Sequence, residues 1–178
     1  MIEKIKRMRR DLIHKGNVIN FYEDTMQMPN GKTAKWDFIE HKGAAAVVAV
    51  HDDGKLIMVR QYRNALERIT LELPAGCVDY QGEPTVDAAR RELAEETGFK
   101  AESFELLISI YTTVAFCNEK IDIYIARGLK TGNQDLDEDE YINVETYDID
   151  ALCQMIYECK IQDSKTVAAI MAYKNKYC

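Results

Sequence analysis

Between Ala44 and Val50 seven small apolar residues, AAAVVAV, run without a polar break. A half-buried strand alternates apolar and polar positions, so this unbroken run predicts a strand buried on both faces. Asp52-Asp53-Gly54 then marks a hairpin turn into an apolar strand over Lys55–Arg63. Phe104–Tyr111, Ile121–Ala126 and Ile142–Tyr147 read as further strands. Asp150–Cys159 reads as a helix, with Leu152, Met155 and Ile156 at helical spacing. Ser164–Tyr173 reads as another, capped by Ser164 and burying Val167, Ala168, Ile170 and Met171. Ahead of the buried strand, Val18–Met28 and Lys32–Glu40 form a hairpin across Pro29-Asn30-Gly31. Residues 1–16, with Lys4, Lys6, Arg7, Arg9 and Arg10, read as a solvated arm or edge segment. A lone hairpin buries little, so it must dock on the main domain or on a second subunit. This divides the chain into an N-terminal β region over 1–42 and a main domain over 43–178.

The most informative stretch is Gly76–Phe99, GCVDYQGEPTVDAARRELAEETGF. Its second half predicts one short helix: Pro84 suits the first helical position, Glu83 meets the positive N-terminal end, and Gly98 supplies a left-handed stop. Val86, Ala89, Leu93 and Thr97 share a face that packs on the core. Glu92, Glu95 and Glu96 fall within about a third of the circle beside it. Carboxylates so close repel one another unless positive charge sits among them.

Composition narrows the classes. With 47% hydrophobic and 30% charged residues in 178, the chain reads as an ordinary globular domain. A net charge of −7 argues against nucleic acid as a partner, while a small anionic substrate is still compatible once divalent cations reverse the local sign. No apolar run approaches a membrane span and MIEKIKRMRRDLIHKG has no signal-peptide core, which gives a cytoplasmic expectation with no membrane partner. The five cysteines are odd in number and lack CxxC spacing, so they read as free thiols. His41 and His51 flank the buried strand without a second histidine at ligand spacing and read as loop residues.

From Glu83 onward, the spacing to Arg91 and the run Glu92-Leu93-Ala94-Glu95-Glu96-Thr97-Gly98-Phe99 resemble the Nudix box at every position. Gly76 stands one residue farther from Glu83 than in the usual box, the extra residue falling in Asp79-Tyr80-Gln81-Gly82, where a loop insertion costs little. The runs VRQYR (59–63) and ELPAG (72–76) resemble the ADP-ribose pyrophosphatase branch in particular. That resemblance implies an α/β fold, a Nudix-type α/β/α sandwich around a mixed β-sheet with a small N-terminal antiparallel β region. It implies a homodimer and a nucleotide-sugar substrate, hydrolysed with magnesium, manganese substituting. Metal would be held by Glu92, Glu96 and the Ala75 carbonyl. Glu95 would bind through water or pair with Arg91, which orients the acidic residues. Arg63 would contact the diphosphate, and Glu72 would orient the substrate or its loop. Trp36 would stack on the base, with packing as its other reading. A loop glutamate, Glu138 or Glu140, would reach the metals or activate water. The branch's usual proline beyond the box is replaced here by Val114. ADP-ribose is the first-choice substrate. GDP-mannose or another NDP-sugar, an oxidised nucleotide, and a non-catalytic ligand-sensing role are the alternatives.

Overall fold

The computed structural model describes residues 4–138 and 140–178, so Asp139 of the acidic stretch lies outside the described residues. The chain forms two compact units, Met1–Gly43 with Tyr111–Glu119, and Ala44–Ile110 with Lys120–Cys178.

The first unit is a three-stranded antiparallel sheet of β1 (Lys6–Lys15), β2 (Asn20–Gln27) and β3 (Thr33–Glu40), in that order. The basic N-terminal segment is thus an edge strand. Asp24 is buried and takes a two-pronged hydrogen bond from Arg10 (2.7 and 2.6 Å), whose guanidinium lies 3.5 Å from the Phe38 ring centre. The 111–119 segment joins this unit because Ile39 N donates to Phe116 O (2.7 Å) and His41 N to Asn118 Oδ1 (2.8 Å).

The second unit is built on β4 (Ala44–Val50), in which every residue is buried. Successive side chains point to opposite faces. Ala45, Val47 and Ala49 meet Ala88, Ala89 and Leu93 of helix α1 (Thr85–Thr97) on one side. Ala44, Ala46, Val48 and Val50 meet Leu152 of α2 (Ile149–Tyr157) and Ala169, Ile170 and Tyr173 of α3 (Ser164–Tyr177) on the other. Helices on both faces explain why no polar residue interrupts the strand. The sheet contains β5 (Leu56–Arg63), β6 (Arg68–Glu72), β7 (Ala75–Cys77), β8 (Phe99–Tyr111), β9 (Lys120–Thr131) and β10 (Asn143–Tyr147). Its order is β10-β5-β4-β9-β8, with β6 on β5 and β7 on β4. β4 and β9 run parallel while β5 and β7 lie antiparallel to β4, so the sheet is mixed and the expected α/β/α sandwich is found.

Three local expectations change. Pro84 is the residue before α1 and not its first residue. β8 begins at Phe99, directly after the Gly98 stop. α3 is capped by Asp163, whose carboxylate accepts from Thr166 N (3.0 Å), and buries Lys165, Thr166, Ala169, Ile170 and Tyr173. Val167, Ala168 and Met171 are only partly buried.

Leu93 is fully buried at the contact between α1 and the sheet. Leu93→Ala should cost about 2–5 kcal/mol of stability, measured by urea denaturation, because the cavity between α1 and β4 cannot fully collapse.

Candidate active site

The box opens at β7, which pairs with the start of β4. A Cβ on Gly76 would lie 2.1 Å from the Glu92 carboxyl carbon, so glycine there is a matter of space: the acid of α1 lies against the β7 backbone. Next to it, Ala75 N donates to Glu96 Oε2 (2.9 Å). The two acids one helical turn apart are thereby drawn to the same short strand. Glu96 is 3% exposed.

Arg91 is the connector. Its Nη1 donates to Glu92 Oε1 (2.7 Å) and Glu95 Oε2 (3.1 Å), its Nη2 to Cys77 O (2.9 Å), and it lies 3.1 Å from Asp79 and 4.0 Å from Glu83. The extra residue before Glu83 is absorbed in a turn closed by its own bonds: Asp79 N to Glu83 Oε2 (2.7 Å) and Glu83 N to Tyr80 O (3.2 Å). Gly82 takes φ +91° within it, open space around its Cα.

Burial pushes the Glu92 carboxyl up to about 7 and the Glu96 carboxyl up to about 8, against an ordinary value near 4.5. Arg91 pulls Glu92 back, and the Ala75 N–H pulls Glu96 back, but the charge of Glu95 adds to the burial at Glu92 and that of Glu92 adds to it at Glu96. The charge of Glu140 raises both, which places this residue within electrostatic reach of the pair; Glu138 is not a leading contributor to either. The loop carrying Glu140 is fastened to the end of α1. Asp135 N donates to Glu95 O (3.0 Å) and Gln134 Nε2 to Glu96 O (2.6 Å). Gly98, at φ +74°, faces Gly132, Asn133 and Gln134 so closely that a Cβ would meet their backbone at 3.0 Å.

Glu72, at the end of β6, has the opposite environment. Arg63 Nε and Nη2 donate to its two oxygens (2.8 and 2.7 Å), Thr70 Oγ1 to Oε1 (2.7 Å) and Lys165 Nζ to Oε2 (2.5 Å). Burial raises its pKa, yet these partners together hold it at about 2. The sequence reading did not single out Thr70, Gln134, Asp163, Lys165 or Thr166. On a helical wheel anchored on Ile170 and Tyr173, Thr166 falls on their face, whereas Lys165 lies about 110° from its centre and turns inward through its bonds to Glu72 and Asp163.

The structure therefore brings together Arg63 and Glu72 as one cluster and Glu92 and Glu96 as another, with Ala75 three residues after Glu72 and bonded to Glu96, while Glu140 acts on the acid pair through its charge. Arg91 and Glu95 border the second cluster. Glu138 is exposed. Trp36 belongs to the other unit, 44% exposed on β3 opposite Asp24.

The donor chemistry fits a hard divalent cation: two desolvated carboxylates and main-chain oxygen, with too little positive charge nearby. Among the described residues no group of three or more His, Cys, Asp or Glu side chains converges as a metal cage. Magnesium does not require one, since it is commonly bound by one or two carboxylates together with substrate phosphates and water.

A Nudix-domain family model matches residues 40–169. The chain belongs to the Nudix family. Among its relatives, "Methanol dehydrogenase activator" of Bacillus methanolicus is 41% identical over 93% of this chain and 90% of that protein. The ADP-ribose pyrophosphatase of Bacillus subtilis is 36% identical over the same shares, and that of Mycobacterium tuberculosis 33% over 91% and 79%. The crystal structure of an ADP compounds hydrolase superimposes with a TM-score of 0.86 at 21% identity, covering 98% of this chain and 95% of that one, which shows the shared fold. The chain is thus a Nudix hydrolase of the ADP-ribose pyrophosphatase-like kind. Among the described residues no helix is long and apolar enough to cross a membrane.

The carboxyl shifts predict a pH signature of the metal-free Nudix protein. Unfolded, Glu92 and Glu96 release their protons near 4.5; folded, they hold them to about 7 and about 8. Between those limits the folded state binds more protons, so its stability falls as pH rises. Glu72 works in the other direction, its stabilisation being present above 4.5 and lost as pH falls toward about 2. In EDTA, Tm should decline from about pH 5.5 to about pH 8.5, and magnesium should raise Tm more at the higher pH, as measured by calorimetry. A metal-free Tm that climbs across this range would contradict the burial of the pair.

Proposed function

We propose that this Nudix protein hydrolyses the diphosphate bond of ADP-ribose to AMP and ribose 5-phosphate, with magnesium as cofactor and manganese as its substitute. The reading is carried by one juxtaposition: the acid pair Glu92 and Glu96, short of cations, is bonded through Ala75 N to a segment whose Glu72 holds an arginine. An acid cluster suited to cations beside an anion-binding arginine matches a diphosphate. The naming of two relatives as ADP-ribose pyrophosphatases supports the substrate.

In this reading Glu92, Glu96 and the Ala75 carbonyl hold the metal, and Glu95 reaches it through water while Arg91 fixes the orientation of both Glu92 and Glu95. Bound there, divalent metal neutralises the phosphoryl oxygens and makes a coordinated water a better nucleophile. Arg63 takes the diphosphate with the donors that Glu72 leaves unused. Glu140, whose charge already acts on the pair, is preferred over Glu138 as the group that orients water or accepts its proton. The β region over 1–42 serves dimerisation and base binding, with Trp36 stacking on adenine. Its exposed Met8, Leu12, Ile13, Val18 and Ile19, each at least 41% exposed, support burial against a second copy. The five free cysteines are in keeping with the cytoplasm.

A second reading comes from the 41% relative, whose name denotes activation of a methanol dehydrogenase. One experiment separates the possibilities: kcat/KM for ADP-ribose, GDP-mannose, UDP-glucose and 8-oxo-dGTP with magnesium, beside the rate of an alcohol dehydrogenase with and without this protein. ADP-ribose should lead the first series; a triphosphate in its place would overturn the substrate.

Glu92→Gln and Glu96→Gln should each lower kcat by about 10²-fold or more with the fold retained by circular dichroism, since either removes a charge on which metal depends. Unchanged turnover in one of them would remove that residue from the metal site. Trp36→Ala should raise KM for ADP-ribose well before it lowers Tm, and light scattering should give the mass of a dimer. A fully active monomer would refute the dimeric reading.

A further inference from the structure

The first turn of α3 reaches the ELPAG segment from a point 93 residues along the chain. Lys165 Nζ bonds both Glu72 Oε2 (2.5 Å) and Asp163 Oδ2 (3.0 Å). Beside it, Thr166 Oγ1 accepts from Leu73 N (3.0 Å), fixing the main chain next to Glu72. Both residues are buried, Lys165 at 9% exposure and Thr166 at 0%. A helix that needed only to pack would place Leu or Met there, because a buried ammonium loses its hydration and is tolerated only with close partners. Lys165 therefore has a reason beyond packing.

That reason lies in the balance of charge around Glu72. With Arg63 alone, the carboxylate would form a closed neutral pair, and the guanidinium would offer an incoming anion little net attraction. Lys165 supplies a second cation to the same carboxylate. The Asp163 carboxylate that Lys165 also meets is partly exposed and caps α3, and its charge also acts on Arg63, so Lys165 bears on the placing of the guanidinium through Glu72. The Glu72 oxygens take four donors, two from Arg63, one from Thr70 and one from Lys165, so the carboxylate cannot turn without losing a partner. Arg63 is held by two of its five N–H groups, while its side chain stays 40% exposed.

We propose that Lys165 is a positioning residue that acts through Glu72 to fix the Arg63 guanidinium and leave its remaining N–H donors available to an anionic substrate. The substrate part rests on the reading above that Arg63 takes the diphosphate of ADP-ribose. α3 is thereby part of the recognition apparatus and not only of the core.

The test compares Lys165→Met, Lys165→Gln and Lys165→Arg with the wild type, all as the full chain. With saturating magnesium, Lys165→Met should raise KM for ADP-ribose about tenfold while kcat stays within about threefold, and Lys165→Arg should recover most of the loss. The magnesium concentration for half-maximal rate should move less than about threefold, because the cation acts at the Glu92–Glu96 pair. A second readout needs no substrate: the Arg63 Nε–H resonance, assigned by its loss in Arg63→Lys, should exchange slowly in the wild type and broaden or vanish in Lys165→Met. Should the methionine variant fail to fold, Lys165→Gln, which keeps an N–H donor but not the charge, decides by the same two measurements. A folded variant with unaltered KM and an unaltered Arg63 signal overturns the proposal. If wild-type protein does not turn over ADP-ribose but the Arg63 signal still collapses on substitution, the positioning role stands and the substrate reading falls.

Discussion

Two carboxylates buried side by side against a short strand are the constraint on which the second unit depends. Burial and neighbouring carboxylates push Glu92 up to about 7 and Glu96 up to about 8, so ionising both is unfavourable at neutral pH. Much of the local architecture serves to hold them in this unfavourable position. Gly76 lacks a Cβ because the Glu92 carboxylate occupies the space. Arg91 ties Glu92 and Glu95 to the backbone of Cys77. Behind them, Leu93 and Ala89 lock α1 to β4, so the helix cannot rotate to release the acids to solvent.

The same constraint gives the two box glycines different duties. Gly76 admits a side chain from α1, whereas Gly98 ends α1 in the left-handed conformation and lets the backbone of 132–134 approach it. Gln134 then closes the contact by donating to Glu96 O. The segment leading to Glu140 is thus anchored on the very residue whose carboxylate Glu140 perturbs. A mobile acidic stretch read from composition alone acquires a fixed starting point.

Much of this was legible in the sequence, and the gaps have physical causes. AAAVVAV announced a doubly buried strand, and the spacing from Glu83 to Phe99 announced the acidic helix, because periodicity and motif spacing are local properties. Strand ends were less legible: β8 and β9 extend well past their apolar centres because hydrogen bonding to neighbours, not hydrophobicity, sets their length. The face of α3 was misjudged because apolar type alone selected Val167, Ala168 and Met171 and passed over Lys165 and Thr166. They turn inward because Glu72 and Leu73 N supply partners that no local pattern reveals. Glu138 and Glu140, two acids a residue apart, are equivalent in sequence and both exposed, and only the charge of Glu140 is among the leading influences on Glu92 and Glu96.

Glu72 and Ala75 stand three positions apart, yet the acid at one end of this segment and the acid bonded to its other end are driven in opposite directions, Glu72 down to about 2 and Glu96 up to about 8. Residue type and burial are alike, so the difference comes from partners. Glu72 receives two cations and a hydroxyl; Glu96 receives one backbone N–H and a neighbouring carboxylate. A carboxylate already filled with donors has no lone pairs left for metal and serves to orient, whereas one stripped of water and short of donors gains most from a divalent cation. Divergent environments on identical groups are how a single fold assigns them different tasks. Here the division follows from which acids lie within reach of Arg63 and Lys165, so the cations of β5 and α3 set the environments of these glutamates as firmly as the box does.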